Sequence, residues 1–69
     1  MVCVVQKISE IVGISSQSFA KAAEDAVAEA GKTVRGMKWA RVSDLEMELD
    51  GPKIKTYRVT VRIYFDVER

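Results

Sequence analysis

Between Tyr57 and Val67 the chain alternates with a period of two. Tyr57, Val59, Val61, Ile63, Phe65 and Val67 fall on one side, and Arg58, Thr60, Arg62, Tyr64 and Asp66 on the other. That pattern predicts a strand from Ile54 to Val67 with one buried face. Upstream, Trp39 to Leu49 reads as a second strand, joined to the first through Asp50-Gly51-Pro52. Its faces are less cleanly divided: Trp39, Leu45, Met47 and Leu49 are apolar at odd positions, and Ala40 and Val42 at even ones, so neither side is purely polar. Nearer the start, Val2 to Val12 is rich in Val and Ile and ends at Gly13, which predicts another strand, with the glycine easing the turn that follows. Phe19, Ala23, Val27, Ala30 and Val34 then recur at helical spacing, predicting an amphipathic helix from Ser16 to Val34. Ser15, Ser16 and Ser18 can accept hydrogen bonds from its free N–H groups, Gly31 weakens its last turns, and Gly36 suits a left-handed exit.

These elements make an α+β chain with the order β-α-β-β, in which a three-stranded antiparallel sheet wraps one side of a single helix. We expect one domain over residues 1–69. An alanine-rich stripe lets the helix sit close to the sheet, yet buries little area per residue. At about 25 cal/mol per Å² of apolar surface, set against an ordering cost of about 1.5 kcal/mol per residue, one helix on one sheet face falls short. Small chains usually make up the difference with a disulfide, a metal or association. Cys3 is the single cysteine and there is no histidine, so neither an internal disulfide nor the commonest transition-metal ligand is present. Association with other copies remains.

A net charge of +1, with both signs interspersed, gives no cationic field for nucleic acid. Met1-Val2-Cys3-Val4-Val5 is apolar but stops at Gln6-Lys7, well short of a membrane span or a signal peptide's apolar region, so we expect a soluble, cytoplasmic protein. For catalysis there is little: no histidine, a Cys3 without a base near it in sequence, and serines better explained by the helix start. Gly13 stands alone, so no phosphate-binding loop is expected, and Met37 and Met47 read as packing residues. We expect a non-enzyme.

The register of the hairpin decides where Trp39 points, because residues paired across it share a face. If Asp50-Gly51 is a two-residue loop, odd positions of the second strand pair with even positions of the third, and Trp39 joins Arg58, Arg62 and Tyr64 away from the helix. A shift of one residue, caused by Pro52 or a bulge, places it under the helix with Val61, Ile63 and Phe65 instead. A lone tryptophan is more often core than surface. Against that, the third strand already supplies the helix with a full apolar stripe, and the other face would otherwise expose Trp39, Leu45, Met47 and Leu49 together. Such patches mark interfaces or ligand grooves.

Val12-Gly13 with Ser15-Ser16, Ser18-Phe19, Ala22-Ala23 with Asp25-Ala26-Val27, Lys32-Thr33-Val34, Trp39-Ala40 with Val42, and Thr56-Tyr57-Arg58-Val59-Thr60-Val61 follow one another in this order. Taken together they resemble the dodecins, small flavin-binding proteins whose β-α-β-β subunits assemble into hollow homo-dodecamers. The resemblance implies a flavin-storage protein holding riboflavin, FMN or FAD between subunits, with the indole of Trp39 stacked on the flavin ring. An electron-poor tricycle gains dispersion and offset stacking on an indole face.

At Arg58 the chain departs from the flavin-binding members, which usually carry a glutamine there. An amide donates and accepts at the flavin's pyrimidine edge, whereas arginine only donates. Arg58 is a candidate for that edge or for an intersubunit ion pair, and Asp44, Glu46 and Glu48 are its nearest acidic candidates in sequence. Asp44 stands where some dodecins contact the ribityl side of the ligand, but regular alternation puts it opposite Trp39 unless a bulge intervenes. The alternative reading is a dodecin-like shell with weak or no flavin binding, holding another small ligand or calcium, an ion that takes oxygen ligands. No metal site is expected within one chain.

Overall fold

The computed structural model describes residues 5–67. Cys3 and the expected start of the first strand at Val2 lie outside the described residues. The elements are β1 (Val5–Ser15), α1 (Phe19–Ala30), β2 (Met37–Asp50) and β3 (Lys53–Val67). The sheet has the order β1-β3-β2, both pairings antiparallel. The strand with the cleanest alternation is therefore the central one. Its odd side carries the core: Val59, Val61 and Ile63 are buried against Ala22, Ala26 and Ala30 of α1.

The helix is shorter than its apolar repeat suggests, and it is turned by about one position. Ser18 is the cap: its Oγ accepts from the Lys21 N–H at 3.0 Å, while Ser15 Oγ accepts from the Gln17 N–H at 3.0 Å in the turn before it. At the other end the helix stops at Gly31, and Thr33 and Val34 N–H groups close tight turns onto the Ala30 carbonyl, so the expected continuation to Val34 is not helical. The line of deepest burial runs through Ala22, Ala26 and Ala30, with Phe19, Ala23 and Val27 packed beside it. Steric fit explains the rotation. Gly13 lies inside β1, not at its end, and a Cβ there would collide with the Ala22 carbonyl oxygen and the Ala26 side chain. Alanine on one side and glycine on the other bring helix and strand together.

The hairpin turns through Gly51-Pro52, since Asp50 pairs with Lys53, one residue beyond the Asp50-Gly51 loop weighed as one alternative. Gly51 has φ +61°, and Pro52 follows with the ring-fixed φ that this turn accommodates. Gly36 has φ +75° and leads into β2.

α1 covers β1 and β3 but scarcely touches β2. A 12-residue helix spans about 18 Å, whereas strands of 14 and 15 residues run to about 45–50 Å. The hairpin projects past the helix as an arm, and the subunit measures 56 × 20 × 13 Å. Leu45 and Met47, on the helix side of β2 that α1 leaves open, and Leu49 nearer the turn are half or more exposed.

Candidate functional site

Three irregularities interrupt the β2–β3 register, between Met37 and Trp39, Val42 and Asp44, and Glu48 and Leu49. The middle one organises the face. Trp39 pairs with Tyr64 and Arg41 with Arg62, so both point away from the helix, while Ala40 and Val42 pair with buried Ile63 and Val61. Ser43 is the extra residue, and its hydroxyl donates to the Thr60 carbonyl at 3.3 Å. Beyond it Asp44 pairs with Thr60 and Glu46 with Arg58 on the outward side, and Leu45 and Met47 pair with Val59 and Tyr57 on the helix side.

Trp39, Asp44 and Arg58 thus share the outward face. The expectation that Leu45, Met47 and Leu49 accompany Trp39 is overturned, because the bulge carries them to the other face. The apolar companions of Trp39 come from β1 instead: Ile8, Val12 and Ile14 pair with Tyr64, Thr60 and Arg58, and all are exposed.

Trp39 is 60% exposed and its ring lies against Tyr64, with centroids 5.4 Å apart and planes at 34°. This partner was placed on the face by the alternation of β3, but its aromatic contact depends on a register that sequence alone leaves open. Next along the sheet, Arg62 Nε donates to Glu10 Oε2 at 3.0 Å. Gln6 Nε2 donates to Asp66 Oδ1 at 2.8 Å at the near end.

Arg58 stands differently. Among the described residues no side chain pairs with its guanidinium, although Glu46 lies directly opposite; Glu48 is engaged by the Thr56 hydroxyl at 3.1 Å and by Lys55 at 3.9 Å. Within one subunit Arg58 and Trp39 are not brought together. Their rows are six residues apart on β3, about 20 Å at strand rise, and the row of Asp44 is four residues from that of Trp39, about 13 Å. Among the described residues no three acidic, cysteine or histidine groups gather as a metal site, and no helix is long and apolar enough to cross a membrane.

The family model for Dodecin matches residues 5–68. Solved structures with this fold include the tt0972 protein of Thermus thermophilus, 30% identical, covering 97% of this chain and 98% of that chain with a TM-score of 0.90. The calcium dodecin of Mycobacterium tuberculosis, a calcium-chelating immunodominant antigen with a novel calcium-binding site, is 35% identical over 93% of this chain and 91% of that chain, with a TM-score of 0.79. The dodecin of Streptomyces coelicolor, at 23% identity, 100% and 99% coverage and a TM-score of 0.91, shares the fold. No curated protein matches the chain.

Proposed function

Because this chain belongs to the dodecin family, we propose that it binds and stores a flavin (riboflavin, FMN or FAD) between copies of itself in a hollow homo-dodecamer. Dodecins are binding and storage proteins rather than enzymes. The observation that carries the reading is the exposed indole of Trp39, held against Tyr64 on the outward face of the sheet. A tryptophan so placed presents a flat apolar surface, with its other side steadied by a second ring.

The residues fit a flavin only when more than one copy contributes. A bound flavin supplies the light-absorbing, electron-poor ring system. Trp39 offers the stacking surface, Ile8 extends the apolar ground beside it, and Asp44 offers an acceptor for ribityl hydroxyls. The span of about 20 Å between the rows of Trp39 and Arg58 exceeds what one ring bridges, so Arg58 reaches a ring stacked on another copy's tryptophan. Association also covers the apolar residues left open on both faces, Ile8, Val12 and Ile14 on one and Leu45, Met47 and Leu49 on the other.

The test is a titration of riboflavin or FMN fluorescence with protein. Wild type quenches emission at micromolar concentration and Trp39→Ala, still folded, does not; unchanged emission with wild type removes the proposal. A shell that holds calcium is the second reading, prompted by the Mycobacterium tuberculosis relative. It requires carboxylates to converge across a subunit boundary, and its mark is a calcium-dependent rise in melting temperature that persists in Trp39→Ala.

A further inference from the structure

We infer that Glu46 and Arg58 act as one recognition unit for the pyrimidine edge of the flavin, Glu46 accepting from the ring N3–H while Arg58 donates to a neighbouring ring carbonyl. This inference rests on the flavin reading and assigns its polar subsite. Glu46 faces Arg58 in register, on the outward side of adjacent strands. Both line a recess of about 360 Å³ together with Ile14, Met47, Glu48 and Thr56. Directly opposed residues place their Cβ atoms about 4.5–5.5 Å apart, close enough for both side chains to meet one ligand edge.

The chemistry is complementary. The pyrimidine edge of an oxidised flavin reads acceptor, donor, acceptor: two carbonyl oxygens flanking an N–H. Arginine alone leaves the N–H unanswered, and an unsatisfied donor taken out of water is costly. Glutamate is acceptor-only when ionised and supplies what arginine lacks. Neither side chain is committed elsewhere: among the described residues Arg58 has no ion pair, and Glu46 takes part in none of the salt bridges, unlike Glu48 and Glu10, which are engaged by Lys55 and Arg62. Glu46 also offsets the arginine charge that a neutral ring would otherwise bury. Ile14, across β3 on the other side of Arg58, gives the recess its apolar wall.

The experiment compares riboflavin with N3-methylriboflavin by fluorescence quenching, using intact wild type, Glu46→Ala, Glu46→Gln and Arg58→Gln. Wild type binds riboflavin about tenfold more tightly than the N3-methyl compound, the size expected for one good hydrogen bond. Glu46→Ala removes this preference. Glu46→Gln keeps it, because the amide carbonyl still accepts; a role as mere counter-charge would make the two variants alike. In the Arg58→Gln background, where one amide does both jobs, Glu46→Ala has no further effect. Trp39-dependent quenching that ignores N3 methylation, or a preference that survives Glu46→Ala, overturns the inference and leaves the flavin reading standing. No quenching by wild type sinks both.

Discussion

Trp39 and Asp44 are five residues apart yet point to the same side of the sheet, because the bulge at Ser43 shifts the alternation of β2 by one position. The shift brings a carboxylate to the face that carries the indole and sends Leu45 and Met47 to the other.

Asp44 should therefore serve the ribityl chain and not the ring. Asp44→Ala weakens riboflavin binding several-fold, in keeping with about 0.5–1.5 kcal/mol for a hydrogen bond. It leaves lumichrome, which has no ribityl chain, unaffected. Equal losses for the two ligands would show that the carboxylate acts on the ring or on the fold.

Close packing of helix and strand depends on Gly13. Gly13→Ala puts a methyl group into the Ala22 carbonyl, so helix or strand must move, at a cost of about 1–3 kcal/mol. Denaturant unfolding measures it; a midpoint equal to wild type would mean that α1 does not approach β1 as described.

At the start of α1, Ser18→Ala removes the acceptor for the Lys21 N–H, lowering stability by about 1 kcal/mol. Ser16→Ala, two residues earlier in the turn and without a described side-chain hydrogen bond, changes the midpoint little. Comparing the two by denaturant unfolding separates a cap from a bystander.

The part of β2 that α1 leaves open gives a prediction about assembly. Leu45 is 60% exposed in the subunit, so Leu45→Lys costs an isolated subunit almost nothing. In an assembly that buries this face of β2 it places a charge in an apolar contact, and the variant sediments as smaller species with its secondary structure retained. A variant of unchanged mass would show that this face of β2 meets solvent.

Much of this was legible in the chain. The alternation of β3 identifies the core strand and its buried side, and the alanine-rich repeat locates α1. The sequence left the direction of Trp39 open. The Gly51-Pro52 turn sets an odd-with-even pairing, the irregularity between Glu48 and Leu49 breaks it and the Ser43 bulge restores it, so Trp39 points outward but without the Leu45, Met47 and Leu49 expected beside it. What escaped is local and steric. The role of Gly13 depends on a helix approaching from elsewhere in the chain, which no local pattern encodes. The helix runs short because the chain tightens at Gly31, and only the packed arrangement shows that Ala22 and Ala26 lie deeper than Phe19 and Val27. The bulge did leave a trace: apolar positions switch from even at Ala40 and Val42 to odd at Leu45 and Met47, the change of phase that one extra residue produces. The pairing of Glu46 with Arg58 depends on the irregularity between Glu48 and Leu49, and so could not be read while the register stayed open.

In the proposed function, Trp39 holds a flavin which a single subunit cannot enclose. Sedimentation velocity of the protein with riboflavin, recorded at the flavin absorption band, tests both halves at once. Flavin is expected to travel with a boundary of dodecamer size in wild type and to stay unbound with Trp39→Ala. A folded 69-residue monomer, or flavin left behind by a wild-type dodecamer, would contradict it.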